Sequence, residues 1–311
     1  MRFLLGLAFL LYLPALYAQT APATQHPEAP DGHAPTIKVN VRLVNVFVNV
    51  SDSEGAPVPG LSKDDFLLSE DGRPQEISIF ERQSELPLNI VLAIDTSGSV
   101  RKDFSVESQA AHHFVHALLR PVDRLDVMEF ADTVREVVGF TNNLSRIDRA
   151  LGDIHGGAAT ALYSGVYLAS QSLAPFSGRK VLVLISDGSN TVRGTTYDMA
   201  LEQAVRSEVM VYSIIDVPIA ASAGRDLAGE HAMITLSQET GGKYYYADAS
   251  SLDRIFEQVS EDLRTQYLLG YYPKNDPESS GFHSISIKLL NQPPGADYTI
   301  RNRTGYYPSP Y

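Results

Sequence analysis

The sequence predicts an α/β fold. A doubly wound, mostly parallel six-stranded sheet is flanked by helices, and a smaller β-sandwich-like domain is built from the N- and C-terminal segments. Three observations predict it. From Leu86 onward, strand-like apolar runs alternate with helical stretches, the rhythm of a mostly parallel sheet covered on both sides. The run from Ile90 to Ile94 is apolar without alternation, as in a strand buried on both faces. On either side of this region, residues 37–84 and 267–307 read as β alone, and neither segment is large enough to be comfortably stable by itself.

In chain order, Met1 to Ala18 combine Arg2, an apolar run from Phe3 to Leu13, Pro14 and a small residue at Ala18. This reads as a secretory signal peptide over 1–18, and the run is short for a bilayer span. The chain is therefore expected to be secreted, or to reside in the periplasm or cell envelope. Residues 19–36, rich in Pro, Ala and Thr, read as a disordered linker. Val39, Val41 and Leu43 then place apolar residues on one face, while Val44, Val46, Val48 and Val50 place them on the other. Such a switch predicts a bulge, or a strand that changes partner sheets. Asp71-Gly72 predicts a hairpin joining two strands within 66–80. The central region, 86–266, yields strands at 88–94, 124–130, 134–140, 180–186, 209–215 and 243–247. Its helices are expected near 104–119, 144–154, 161–173, 196–207, 230–240 and 251–265. No crossover helix fits between the second and third strands, so they form an antiparallel hairpin. After Gln266, strands are expected at 267–272, 283–289 and 298–301. They are expected to pack with 37–84 into one domain, with 86–266 inserted between the two parts.

Composition removes several classes of function. The 311 residues carry a formal charge of −12, so a nucleic-acid partner is not expected, because phosphate binding needs a basic face. There is no cysteine, which excludes disulfides, zinc–thiolate centres and cysteine nucleophiles. No Gly-x-Ser-x-Gly elbow, P-loop or dinucleotide-binding glycine fingerprint is present.

The first strand ends abruptly in Asp95-Thr96-Ser97-Gly98-Ser99. In open α/β sheets, ligands bind at the carboxyl edge on which this loop would sit. Asp95 offers a carboxylate oxygen, and Ser97 and Ser99 offer hydroxyl oxygens. A small hard cation such as Mg²⁺ takes such oxygens in an octahedron at roughly 2.0–2.1 Å. Asp and Ser also cap helices, so the loop alone fits a capping role equally well. Two further pieces extend it. Gly156-Gly157-Ala158-Ala159-Thr160 is a glycine loop feeding a helix, and Lys180 to Ser186 is a second buried strand that ends in Asp187-Gly188.

In these residues the chain resembles the von Willebrand factor type A (VWFA) domain over roughly 86–266. That family's metal-ion-dependent adhesion site (MIDAS) combines D-x-S-x-S, a later Thr and a later Asp before Gly. The resemblance implies a metal site at Asp95, Ser97, Ser99, Thr160 and Asp187. It also implies the strand order 3-2-1-4-5-6 and an ion that is Mg²⁺ or another divalent cation such as Mn²⁺ or Ca²⁺. Three hydroxyls and two carboxylates, some acting through water, leave one position for a carboxylate from a partner. The flanks resemble a narrower group of secreted, VWFA-related proteins often described as acidobacterial. The likeness lies in Val58 to Phe66, Glu70-Asp71-Gly72 with Ile79-Phe80, Tyr267 to Tyr271, and Arg301 to Tyr306. Ser164 departs from the family, which often has an acid after the Tyr.

Other candidates have ordinary explanations. His112 and His116, four apart on a helix, read as a solvated flank. Tyr244-Tyr245-Tyr246 reads as part core and part edge of a strand. Asp123, Asp126 and Asp132 read as caps and turns. The expected function is a secreted adhesion or protein-interaction module that grips an acidic side chain of a protein ligand through a divalent cation. The alternatives are an envelope protein whose metal stabilises the fold and a metal-dependent hydrolase. The matched motif segments contain no histidine and no acid beyond the two ligands to act as a base, so an enzyme is not expected.

Overall fold

The computed structural model describes residues 43–82, 85–98, 104–216, 226–248, 250–274 and 281–308. The expected leader at 1–18, the linker at 19–36, Val39, Val41 and Ser99 lie outside the described residues. The chain opens with β1 (Val44–Ser51), β2 (Phe66–Glu70), β3 (Arg73–Gln75) and β4 (Ile77–Arg82). It then alternates through β5 (Leu88–Asp95), α1 (Phe104–Leu118), β6 (Arg124–Phe130), β7 (Val134–Thr141), α2 (Leu144–Gly152), α3 (Leu162–Leu173) and β8 (Arg179–Ser186). The alternation continues through α4 (Tyr197–Arg206), β9 (Val209–Asp216), α5 (Leu227–Thr240), β10 (Tyr244–Ala247) and α6 (Leu252–Arg264). The chain closes with β11 (Tyr267–Tyr271), β12 (His283–Leu289), β13 (Thr299–Arg301) and β14 (Gly305–Tyr306).

The large sheet has the order β10-β9-β8-β5-β6-β7, which is 3-2-1-4-5-6 read from the β7 edge. Its pairs are parallel except β6–β7, the expected hairpin. β5 lies between β8 and β6, with helices on both faces, and its residues Ile90 to Ile94 are 0% exposed. That burial explains why the run shows no alternation. Ile90, Leu92 and Ile94 pack against Phe114 of α1, Ile147 and Leu151 of α2, and Val259 of α6. On the other face, Val91 and Ala93 share a core with Val166 and Ala169 of α3, Ala204 of α4 and Met233 of α5.

The flanking strands form two antiparallel four-stranded sheets, β13-β1-β11-β4 and β14-β12-β2-β3. Each mixes strands from before and after the α/β region. Their inner faces share one core that includes Val46, Val48, Leu68, Leu269, Ile285 and Ile287. Asp71 (φ 49°) and Gly72 (φ 75°) make the tight turn between β2 and β3, a left-handed pair that the Asp-Gly sequence favours. The strand expected to follow this turn is in fact divided. β3 pairs with β2, whereas β4 leaves at Glu76 and pairs with β11 in the other sheet. β1 changes partners at Val48/Asn49, where β11 gives way to β13; the expected face switch rests partly on Val39 and Val41, outside the described residues. Asn49 also ties this region to α6. Its Nδ2 donates to the Asp262 carbonyl at 2.9 Å, and Gln266 Nε2 donates to its Oδ1 at 3.0 Å.

Candidate functional site

Asp95 is the last residue of β5, and β8 runs parallel beside it with Ile94 opposite Ile185. One step further along that register stands Ser186. Its Oγ donates to Asp95 Oδ2 at 2.6 Å and accepts the Gly188 amide at 3.1 Å. The other oxygen, Asp95 Oδ1, accepts the Ser97 amide at 2.9 Å. Asp187 follows Ser186 directly and accepts the Ser189 amide on Oδ1 at 2.9 Å. Both acids therefore stand at the carboxyl edge of neighbouring strands. There the sheet order reverses direction from β5, which is where open α/β sheets form a crevice.

The glycine loop is stitched to this edge from three sides. Gly157 N donates to the Thr96 carbonyl at 3.0 Å. Asp132, in the β6–β7 turn, accepts the amides of Ala158 at 2.9 Å and Ala159 at 3.1 Å. Thr160 N donates to Thr191 Oγ1 at 2.8 Å, and the Thr160 carbonyl accepts the amides of Thr191 at 2.9 Å and Val192 at 3.1 Å. A Cβ on Gly157 would lie 2.4 Å from Asp132 Oδ2 and 2.5 Å from Ala131 Cβ, so the loop comes this close only because that residue is glycine. Asp95, Ser97 and Thr160 are buried, while Asp187 is half-buried.

Burial is the main force on Asp95 and pushes its carboxyl up to about 6. The hydrogen bonds from Ser186 and Ser97 oppose that rise, and the charge of Asp187 adds to it. Neither Asp95 nor Asp187 forms an ion pair among the described residues; their polar partners are hydroxyls and amides. Among the described residues, the edge thus concentrates negative charge and neutral oxygen without a neutralising side chain.

Of the five residues singled out by sequence, Asp95 ends β5 and Ser97, Thr160 and Asp187 lie on loops joined to that edge, while Ser99 lies outside the described residues. Sequence reasoning gave no role to Ser186 or Thr191. The first becomes legible only once β5 and β8 are neighbours, and the second only once the loop fold is known. His112 and His116 share one acceptor, Asp148 of α2, at 2.8 and 3.0 Å, which accords with a polar flank. Asp123 accepts the Leu88 amide and pairs with Arg120, and Asp132 holds the glycine loop, so both serve turns as expected. Asp126 does not. It is fully buried on β6, its two oxygens have no hydrogen-bond partner among the described residues, and burial together with Glu136 pushes it up to about 8. Ser164, the departure from the family pattern, donates to Thr195 Oγ1 at 3.0 Å. The flanking motifs converge on Glu70. Its Oε2 accepts Tyr271 OH at 2.5 Å and Tyr306 OH at 3.3 Å, while His283 Nδ1 lies 2.7 Å from Asp71.

Residues 90–190, which contain all five positions, match the family model of the von Willebrand factor type A domain. No curated protein matches the chain. Among solved structures, a von Willebrand factor type A protein from Catenulispora acidiphila is similar at 9% identity and TM-score 0.50, over 86% of this chain and 75% of that one. Proximal thread matrix protein 1 of the mussel byssus, with a zinc-occupied MIDAS motif, is similar at 15% identity and TM-score 0.50. That similarity covers 62% of this chain and 49% of the mussel protein, so the chain spans about half of its length. At these identities the likeness concerns the fold. With the matched segment and the strand order in agreement, residues 90–190 lie in a von Willebrand factor type A domain.

Proposed function

We propose that Asp95, Ser97, Ser99, Thr160 and Asp187 hold a divalent cation, Mg²⁺ or a similar ion, and that the ion presents one open position to a carboxylate of a protein partner. The observation that carries this reading is Asp95 itself. It is a fully buried carboxylate, raised by its surroundings, beside a second acid and without an ion pair among the described residues. A buried charge of this kind is costly unless it is paired or coordinates a metal. The donor set also fits, because carboxylates and hydroxyls are the hard oxygen ligands such ions take.

When bound, the ion would supply the positive charge that attracts an acidic side chain. The chain's own residues do the positioning. Ser186 and the Ser97 amide fix the two Asp95 oxygens, Asp132 and Thr191 fix the glycine loop that bears Thr160, and the Ser189 amide orients Asp187. The mussel protein's zinc-occupied MIDAS supports a divalent ion in this reading. The role is then adhesion or protein interaction after export. Among the described residues, no helix is long and apolar enough to cross a membrane.

Calorimetry with Mg²⁺ and Mn²⁺, followed by partner capture with and without chelator, tests the proposal. The wild-type chain is expected to bind one ion per chain at this site and to capture its partner only in the metal-loaded form. Asp187→Ala is expected to lose both while keeping its circular dichroism. Unchanged ion binding by Asp187→Ala would overturn the assignment, and chelator-insensitive capture would leave the metal a stabiliser of the fold alone.

A further inference from the structure

At the opposite end of the parallel sheet lies a cavity of about 380 Å³, at the start of β8 and β9 and against β1. Much of its wall is apolar, with Phe47, Phe176, Val181, Val205 and Met210 among the lining residues. Arg179, Lys180 and Arg303 also line it, against one carboxylate, Glu208. This cationic surplus stands out in a chain whose formal charge is −12.

Arg179 has no counter-ion among the described residues, whereas Arg303 is paired with Glu208 but keeps a polar group unsatisfied. Arg179 is 3% exposed, yet its guanidinium donates only to main-chain carbonyls, those of Leu86 and Leu263. Among the described residues it forms no ion pair. Burial, reinforced by the charge of Arg120, lowers it to about 10, so it remains cationic at neutral pH. Arg303 donates from Nη2 to the Asn45 carbonyl at 2.8 Å, and its Nη1 lies 3.1 Å from Glu208 Oε1. Among the described residues, its Nε is buried without an acceptor, and Asn45 Oδ1, also on the cavity wall, is buried without a donor. A buried cation without a counter-ion and a buried donor without an acceptor both carry a desolvation penalty. A ligand bearing one anionic group would offset it.

The volume falls within the roughly 300–1,000 Å³ typical of small-molecule sites, and the walls are unsuited to a fully hydrated inorganic ion. We propose that this cavity binds a small amphipathic monocarboxylate, with its head toward Arg303 and its apolar part against Phe47, Phe176 and Met210. The head would meet the cationic side of the cavity formed by Arg179, Lys180 and Arg303, and the tail would replace water along the apolar wall. Such a site lies where β1, β8 and β9 meet, remote from the metal-site edge, and does not depend on the metal.

The test is calorimetry of the full chain with octanoate, octanol and octylammonium as probes. Octanoate is expected to bind with one-to-one stoichiometry. Octanol, which keeps the tail but lacks the charge, is expected to bind about ten-fold more weakly or worse, and octylammonium not at all. Val205→Phe, which fills the cavity and leaves every charge in place, is expected to abolish octanoate binding. Arg303→Gln is expected to weaken it about ten-fold. Circular dichroism melting serves as the fold control. If Arg303→Gln fails to fold, the three probes and Val205→Phe still decide the matter. Absence of octanoate binding to the wild-type chain, equal binding of octanol, or a folded Val205→Phe variant that binds as well as wild type would each overturn the proposal.

Discussion

Asp95→Asn separates the two things a buried carboxylate does at the sheet edge. Its folded-state value of about 6, against an ordinary 3.8, means that the folded chain holds this proton more tightly than the unfolded chain does. The stability associated with the raised value is therefore fully present below 3.8 and is lost as pH rises through 6. Above pH 6 the metal-free fold carries a penalty of about 3 kcal/mol, from roughly two pH units at 1.36 kcal/mol each. Asparagine keeps the shape and an acceptor for the Ser97 amide but carries no charge. The metal-free variant is thus expected to melt roughly 6–12 °C above wild type at pH 7 and to lose that advantage near pH 4. Magnesium nearly cancels this difference. At a hundred times its dissociation constant, a bound ion stabilises wild type by about 2.7 kcal/mol, whereas the variant gains nothing. The assay is differential scanning calorimetry at pH 4 and pH 7, with and without Mg²⁺ and chelator. A metal-free variant no more stable than wild type at pH 7 would refute the electrostatic reasoning, and a variant stabilised by Mg²⁺ as much as wild type would refute the ligand assignment.

Two further outcomes follow from other buried positions. Asp126, raised to about 8 and lacking a hydrogen-bond partner among the described residues, stabilises the fold fully only below 3.8, and that contribution is lost as pH rises through 8; Asp126→Asn is expected to flatten this dependence and to add up to ~4 kcal/mol near pH 7, measured by urea unfolding across pH 4–9. Gly157→Ala would drive a methyl group into Asp132 and Ala131, so it is expected to cost about 1–3 kcal/mol by thermal melting and to weaken Mg²⁺ binding through the displaced Thr160; unchanged melting would show that the loop relaxes freely.

Much of the fold was legible because one physical rule generates it. A strand covered on both faces reads as a continuous apolar run, so Ile90 to Ile94 and Val181 to Ile185 could be placed in a parallel sheet without any pairing information. Helix starts carry caps that the sequence reading did not use: Asn143 and Thr196 each accept an amide in the first turn. Pairing in the flanks was harder to read. The break at Glu76, which sends β3 and β4 to different sheets, leaves the alternation of apolar residues almost undisturbed. Asp126 was misread for a similar reason. An acid among turn-forming acids looks like a cap, and only the sheet register, with Val91 and Leu125 to Val127 around it, reveals that it is buried in the core.

The same distinction explains why the candidate metal site was legible as a set of residues and yet incomplete as a mechanism. Asp95, Ser97, Thr160 and Asp187 can be read from the sequence because each sits at the end of a local pattern, an apolar strand or a glycine loop. What orients them is non-local. Ser186 reaches Asp95 across ninety-one positions of chain, and Thr191 reaches Thr160 across thirty-one. A hydroxyl in Ser186-Asp187-Gly188 has no signature of its own, because its role exists only once β5 and β8 are adjacent. That support also has an energetic consequence. Ser186 donates its proton to Asp95, so it stabilises the ionised form that a cation needs and opposes the burial that favours the neutral one. Removing the hydroxyl would therefore favour protonated Asp95, and cation binding would need a higher pH even though no expected ligand had been touched.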